Sequence, residues 1–160
     1  MIITKINYVV GDATNPVEGD NEKEKIIAHI TNDKFIWGAG FVLALSKKWK
    51  LPEQEYRKDH ITSLLGNVQL VRVEKNIIVA NMTAQHNVRH YNDISANKPP
   101  IRYDALIDCL SKLNYSATRL GAEIHMPFIG SGLAGGDWRI IEILIEQYLT
   151  VPVYIYELPK

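Results

Sequence analysis

Residues 126–138, Met-Pro-Phe-Ile-Gly-Ser-Gly-Leu-Ala-Gly-Gly-Asp-Trp, place Gly130, Gly132, Gly135 and Gly136 between two segments of opposite character. Ahead lies Glu123-Ile124-His125-Met126, short and apolar enough to be a buried strand, and behind it residues 137–149 carry the apolar spacing of an amphipathic helix. Glycine this dense is costly inside a helix or strand, so 129–136 is a strand-to-helix turn whose backbone N–H groups are unscreened by side chains. With a helix N-terminus beside it, such a turn suits an anion, and phosphate or diphosphate is the natural guest. It is neither a Walker loop, since no Lys-Ser/Thr follows, nor the G-x-G-x-x-G dinucleotide loop. The alternative is a plain tight turn with Asp137 as helix N-cap, a role Asp137 can hold under either reading.

A second loop, Ile30-Thr31-Asn32-Asp33-Lys34-Phe35-Ile36-Trp37-Gly38-Ala39-Gly40, follows the apolar run 26–30 and opens a helix over 39–49. Two such loops at neighbouring strand ends could hold a diphosphate from both sides.

The remaining segments fix the fold class. Strands are expected at 3–10, 26–30, 123–126 and 151–157, and 68–71 with 77–79 outline a reversal around Glu74-Lys75-Asn76. Residues 101–119 form an amphipathic helix, with Gly121 placed as its C-cap. The segment 13–24 reads as a surface loop, and a polar loop of about fifteen residues ends at Pro99-Pro100. Strands alternating with helices give an α/β fold with a mixed, mostly parallel sheet covered on both faces. Ligands of such sheets bind outside the strand C-terminal ends. At 160 residues the whole chain, 1–160, is read as one domain.

Composition narrows the partners. Eighteen basic residues balance eighteen acidic ones and no basic run occurs, so long nucleic acid is not the expected partner. The lone Cys109 sits in an apolar helical pattern, as a small buried hydrophobe would, and cannot form an internal disulfide or a cysteine-based zinc site. The cluster His86, Asn87, Arg89 and His90 lacks the spacing of a metal site, so no metal is expected and no cofactor is implied. The N-terminal residues do not read as a signal peptide and no apolar stretch is long enough to cross a bilayer, so the reading is a cytoplasmic protein without a membrane partner.

Taken together, Gly11-Asp12-Ala13-Thr14, Ile30-Thr31-Asn32 with Gly38-Ala39-Gly40, and Pro127 through Trp138 resemble the successive motifs of the macrodomain family. The last motif is similar to the branch that contains ADP-ribose-1''-phosphate phosphatases. The resemblance spans essentially the whole chain. It implies a three-layer α/β/α sandwich and, as ligand, ADP-ribose free or attached to a protein, acyl or phosphate group. It places Asp12 and Ala13 at the adenine, with Asp12 accepting from the amino group; a turn residue is the other reading of Asp12. Asn32 would bond the distal ribose, and Gly38, Gly40 and Phe41 would form the first phosphate loop. Gly130, Ser131, Gly132, Leu133 and Ala134 would form the second. Tyr156 would stack on the adenine, or else is an ordinary strand tyrosine.

For turnover the candidates are His86, Asp137 and Asn32, with Asp33 as a further carboxylate; His29, inside an apolar strand, reads as a satisfied core histidine. The branch that removes ADP-ribose from glutamate uses a lysine near the end of the strand at 77–82 and an aspartate in the second loop. Here Asn81-Met82-Thr83-Ala84-Gln85 has no lysine and Ala134 replaces the aspartate, which argues against a lysine adduct. The expected activity is hydrolysis of a 1''-phosphate or acyl ester of ADP-ribose through a positioned water. The alternative is a non-catalytic module binding ADP-ribose or another nucleotide diphosphate.

Overall fold

The computed structural model describes residues 6–59, 64–88, 99–132 and 134–160; the expectations for residues 3–5, Arg89, His90 and Leu133 lie outside these. Among the described residues the strands are β1 (Ile6–Val10), β2 (Lys25–Asn32), β3 (Val68–Glu74), β4 (Ile77–Gln85), β5 (Glu123–Met126) and β6 (Val153–Glu157). The helices are α1 (Phe41–Lys48), α2 (Leu51–Lys58), α3 (Tyr103–Leu120) and α4 (Trp138–Tyr148).

The strands form one sheet in the order β1-β6-β5-β2-β4-β3. Every pairing is parallel except that of β3 with β4, which makes the sheet mixed, as expected. The central strands β2, β4 and β5 are buried along nearly their whole length. Near-continuous apolar runs are what a parallel strand covered on both faces requires. The side chains of β2 alternate between two cores. Ile26 and Ala28 join α3 and α4, while Ile27 packs with Trp37, Val42, Leu45 and Tyr56 from the α1 and α2 side. The molecule is therefore a three-layer α/β/α sandwich.

Helix α3 buries Ala105, Leu106, Cys109, Leu110, Leu113 and Ala117, a stripe at helical spacing that includes Cys109 as a small hydrophobe. Each large apolar side chain so buried contributes roughly 1.5–3 kcal/mol. Gly121 closes the helix in the left-handed region at φ 63°, and its N–H reaches Ala117 O and Thr118 O. The reversal between β3 and β4 is a longer hairpin than the sequence suggested. Helix α2 was not foreseen, because Leu51–Lys58 buries only Pro52 and Tyr56 and so shows no apolar stripe.

One local feature opens the sheet at its C-terminal edge. The pairing of β2 with β5 runs to Ile27 and His125, and β5 ends at Met126. Pro127 follows and has no N–H to continue the ladder. Strand β2 continues to Asn32 beside β4, with a register shift between Thr31 and Asn32, leaving a gap where its other neighbour stops.

Candidate functional site

That gap is the floor of an open cleft of about 190 Å³. His29, Ile30 and Gln85 line it from the strands, Ala39, Gly40, Phe41 and Val42 from one side, and Pro127 to Gly130, Gly132 and Ala134 from the other. Residues of the two glycine loops thus converge on one space.

The loop after β5 is locked by its own backbone. Gly136 N–H donates to Gly130 O at 2.7 Å, Gly135 N–H to Gly132 O at 3.0 Å, and Ala134 O accepts from Ile101 N–H at 3.1 Å. Gly130 has φ 73°, and a Cβ there would lie 2.7 Å from Ile101 Cδ1. A Cβ on Gly136 would lie 2.5 Å from Gly130 O, a backbone atom that cannot give way, whereas Gly130 is held to glycine chiefly by its positive φ. Gly132 differs: a Cβ there would meet nothing within 4 Å. Among the described residues the N–H groups of Ser131, Gly132 and Ala134 have no acceptor. Ser131 turns its hydroxyl back to Phe128 O at 3.0 Å.

The loop after β2 is held by side chains instead. Asn32 Oδ1 accepts from Lys34 N–H at 2.9 Å and Ile36 N–H at 3.2 Å, and its Nδ2 donates to Ile36 O at 2.7 Å. The Tyr56 hydroxyl donates to Asn32 O at 2.6 Å, with Asn32 Oδ1 3.1 Å away. Burial of this phenol pushes its pKa well above that of an ordinary tyrosine, so it stays a donor. Trp37 Nε1 anchors the loop to Ser46 Oγ at 2.8 Å. Gly40, at φ 75°, caps α1 without a side-chain bond, and no acidic residue occupies the first turn. The amides of that turn therefore present a positive end to the cleft.

Asn32, expected to bond the distal ribose, thus spends its carboxamide on its own loop. Its oxygen serves as an Asx-turn acceptor, the alternative that a short amide offers the backbone.

At the end of β4, His86 Nδ1 lies 2.8 Å from Asp33 Oδ2, and Asp33 Oδ1 accepts from Asn87 N–H at 2.8 Å. The pair stands next to Gln85, which lines the cleft. Asn87 at φ 55° and Phe35 at φ 62° flank it, the two described non-glycine residues in the left-handed region. Such strain persists where surroundings over-determine it, often at functional sites.

The other expected residues are dispersed along the same edge. Asp12, exposed past the tip of β1, accepts from the Thr14 N–H at 2.9 Å and hydroxyl at 2.8 Å. Lys48 Nζ donates to Thr14 O at 2.5 Å and ties this turn to α1. Ala13 is buried beside it. Gly38 belongs to the first loop but does not line the cleft. Tyr156 is 4% exposed, with its hydroxyl 2.8 Å from His125 Nδ1, so its ring belongs to the packing beneath loop 13–24 and offers no open stacking face. Buried Lys25 completes that packing, donating to Pro16 O at 2.6 Å, Glu18 O at 2.7 Å and Asn21 Oδ1 at 2.9 Å. Asp137 caps α4 by accepting from Arg139 N–H at 2.9 Å and pairs with the same guanidinium at 3.1 Å. Those bonds hold its carboxyl below the ordinary range, which suits a cap better than a base. Among the described residues no three His, Cys, Asp or Glu side chains gather to hold a metal ion, and no helix is long and apolar enough to cross a membrane.

An α/β/α sandwich with an amide-lined cleft outside its parallel strand ends has the layout in which sheets of this kind hold ligands. The chain is 41% identical to a macrodomain protein from Streptomyces coelicolor, over 96% of this chain and 99% of that one, with a TM-score of 0.81. It belongs to the macrodomain family. No protein-family model matches the sequence. It is also 31% identical to the mouse chromodomain-helicase-DNA-binding protein 1-like over 98% of this chain, but spans only 18% of that protein. A third similarity is to Thermosipho africanus DarTG, solved in complex with ADP-ribose, at 17% identity over 98% of this chain and 43% of that one, TM-score 0.73. At that identity the likeness is one of fold.

Proposed function

We propose that the cleft binds ADP-ribose or a derivative of it and that the domain hydrolyses a 1''-phosphate or acyl ester on the distal ribose. The observation that carries the binding reading is the convergence of two glycine loops whose main-chain amides, at Ser131, Gly132 and Ala134 and at Phe41 and Val42 of α1, are without protein acceptors among the described residues. A diphosphate supplies acceptors for both sets. Asp12 stands two strands from β5, about 10 Å at the usual strand spacing, which is the reach of an adenosine from its phosphates. The ADP-ribose carried by the DarTG relative of the same fold supports the same ligand.

For hydrolysis, His86 is the base. Its Nδ1 lies 2.8 Å from Asp33 Oδ2, and a carboxylate there favours the tautomer in which the other ring nitrogen is the basic one. The water oxygen attacks the acyl carbon or the phosphorus, the bond to the ribose oxygen breaks, and the imidazolium returns its proton to that oxygen. Asp33, aligned by Asn87 N–H, holds the ring in the required tautomer. Of the sequence candidates, His86 is favoured over Asp137, which is engaged with Arg139.

Incubating the purified protein with the 1''-phosphate and with an acyl ester, then resolving the products, tests this directly. Turnover that falls at least 100-fold in His86→Ala, with ADP-ribose affinity within threefold of the parent, is expected. Intact esters alongside retained ADP-ribose binding would leave the domain a binding module only.

A further inference from the structure

The geometry points to His29 as the residue that reads a ligand hydroxyl on the cleft floor, the role that the resemblance gave to Asn32. The inference rests on the ligand reading above and adds a residue to it.

His29 lies on β2, 2% exposed, and lines the cleft. Its Nε2 is 2.5 Å from Asn81 Oδ1. The orientation of that amide is fixed independently, because Asn81 Nδ2 donates to Gln69 Oε1 at 3.0 Å and to Pro52 O at 3.2 Å. The oxygen therefore faces the imidazole, and Nε2 must carry the hydrogen. Burial holds this histidine neutral, with its pKa lowered to about 4, so Nδ1 has no proton near neutral pH. What remains is a bare lone pair: Nδ1 is buried and has no hydrogen-bond partner among the described residues. A buried acceptor left unpaired is costly, and native structures seldom leave one without a reason.

The surroundings say which donor fits. The ring sits edge-on to Trp37 at 5.5 Å and against Phe41 at 5.7 Å, an apolar setting at the N-terminal turn of α1. An anion would find a lone pair there, and so is excluded from this point. A neutral hydroxyl donates to it while the neighbouring amides take the phosphates. Asn32, one pleat repeat and a residue further along β2, cannot supply this acceptor because its Oδ1 already serves Lys34, Ile36 and Tyr56. The cleft thus separates two chemistries, main-chain donors for phosphate oxygens and an imidazole acceptor for a sugar hydroxyl.

The test observes the ring in the intact protein. In protein labelled with ¹⁵N-histidine, the His29 signals are assigned by their loss in His29→Phe, and ADP-ribose or ADP is titrated while calorimetry records binding. The expected result is an Nε2-protonated ring in the free protein, whose Nδ1 resonance moves upfield with ADP-ribose and stays in place with ADP, which lacks the distal ribose. In His29→Phe, which keeps a ring but no acceptor, ADP-ribose affinity falls roughly tenfold and ADP affinity changes less than twofold. A protonated Nδ1, or an Nδ1 signal unmoved at saturating ADP-ribose, overturns the assignment while leaving the ligand reading intact. So does an equal shift with both ligands. Absence of any ADP-ribose heat overturns the ligand reading, and this assignment with it. Should His29→Phe fail to fold, the signal is assigned instead by its coupling to Asn81→Asp, and the native titration decides.

Discussion

The two loops that meet at the cleft reach the same end by opposite means. Residues 130–136 keep their shape because side chains are absent: Gly136 N–H closes on Gly130 O at 2.7 Å, and no Cβ fits at Gly136. Residues 32–37 keep theirs because side chains are present, with Asn32, Tyr56 and Trp37 bonding the backbone or α1. A loop closed by steric exclusion tolerates no substitution at its contact points. One held by polar side chains weakens by a hydrogen bond at a time. The contrast also divides labour, since residues 130–136 leave the amides of Ser131, Gly132 and Ala134 bare while residues 32–37 spend their polar groups on themselves.

Gly136→Ala breaks the comparison most severely. The added carbon would press on a backbone oxygen that cannot move aside, and a loss of about 3 kcal/mol is expected in chemical denaturation, with ligand affinity falling as well. Tyr56→Phe takes two contacts from Asn32 and leaves its carbonyl oxygen without that donor, costing about 1–2 kcal/mol. It should also weaken ADP-ribose binding by less than tenfold, measured by calorimetry. Gly40→Ala also costs less than Gly136→Ala. Nothing lies within 4 Å of the new carbon, so the loss is that of an alanine held at φ 75° and ψ −139°, a backbone region left almost wholly to glycine, about 2 kcal/mol in the same denaturation assay. If Gly40→Ala proved more damaging than Gly136→Ala, the distinction between the loops would be lost.

The same contrast explains what could be read from the sequence. Glycine spacing, the Asp137 cap and the Gly121 terminus are local signals, and they located the second loop, α4 and the end of α3. The apolar runs of β2 and β5 announced strands buried on both faces. Polar side chains carry no such local mark. Whether Asn32 faces a ligand or its own loop is decided by Tyr56 from α2, a helix whose two buried residues left no periodic pattern. Tyr156 alternates like any strand residue, and its burial under loop 13–24 depends on His125 one strand away. The expectation of a satisfied core histidine at His29 holds for its burial and fails at Nδ1, whose missing partner emerges only once Asn81 is seen to hold the other nitrogen. Pro127 stood in plain view, and its effect on the ladder becomes clear only with β2 running on beside it.

Gly132 offers the most direct test of the central claim, because it lines the cleft and has open space around it. Calorimetric titration of ADP-ribose into Gly132→Glu, with a thermal melt of the same sample, separates binding from folding. A carboxylate set among amides reserved for phosphate should reduce affinity at least 100-fold while the melting temperature stays within about 3 °C of the parent. Parent-like affinity in a folded Gly132→Glu protein would contradict the account, for it would mean that the phosphates do not rest on this loop.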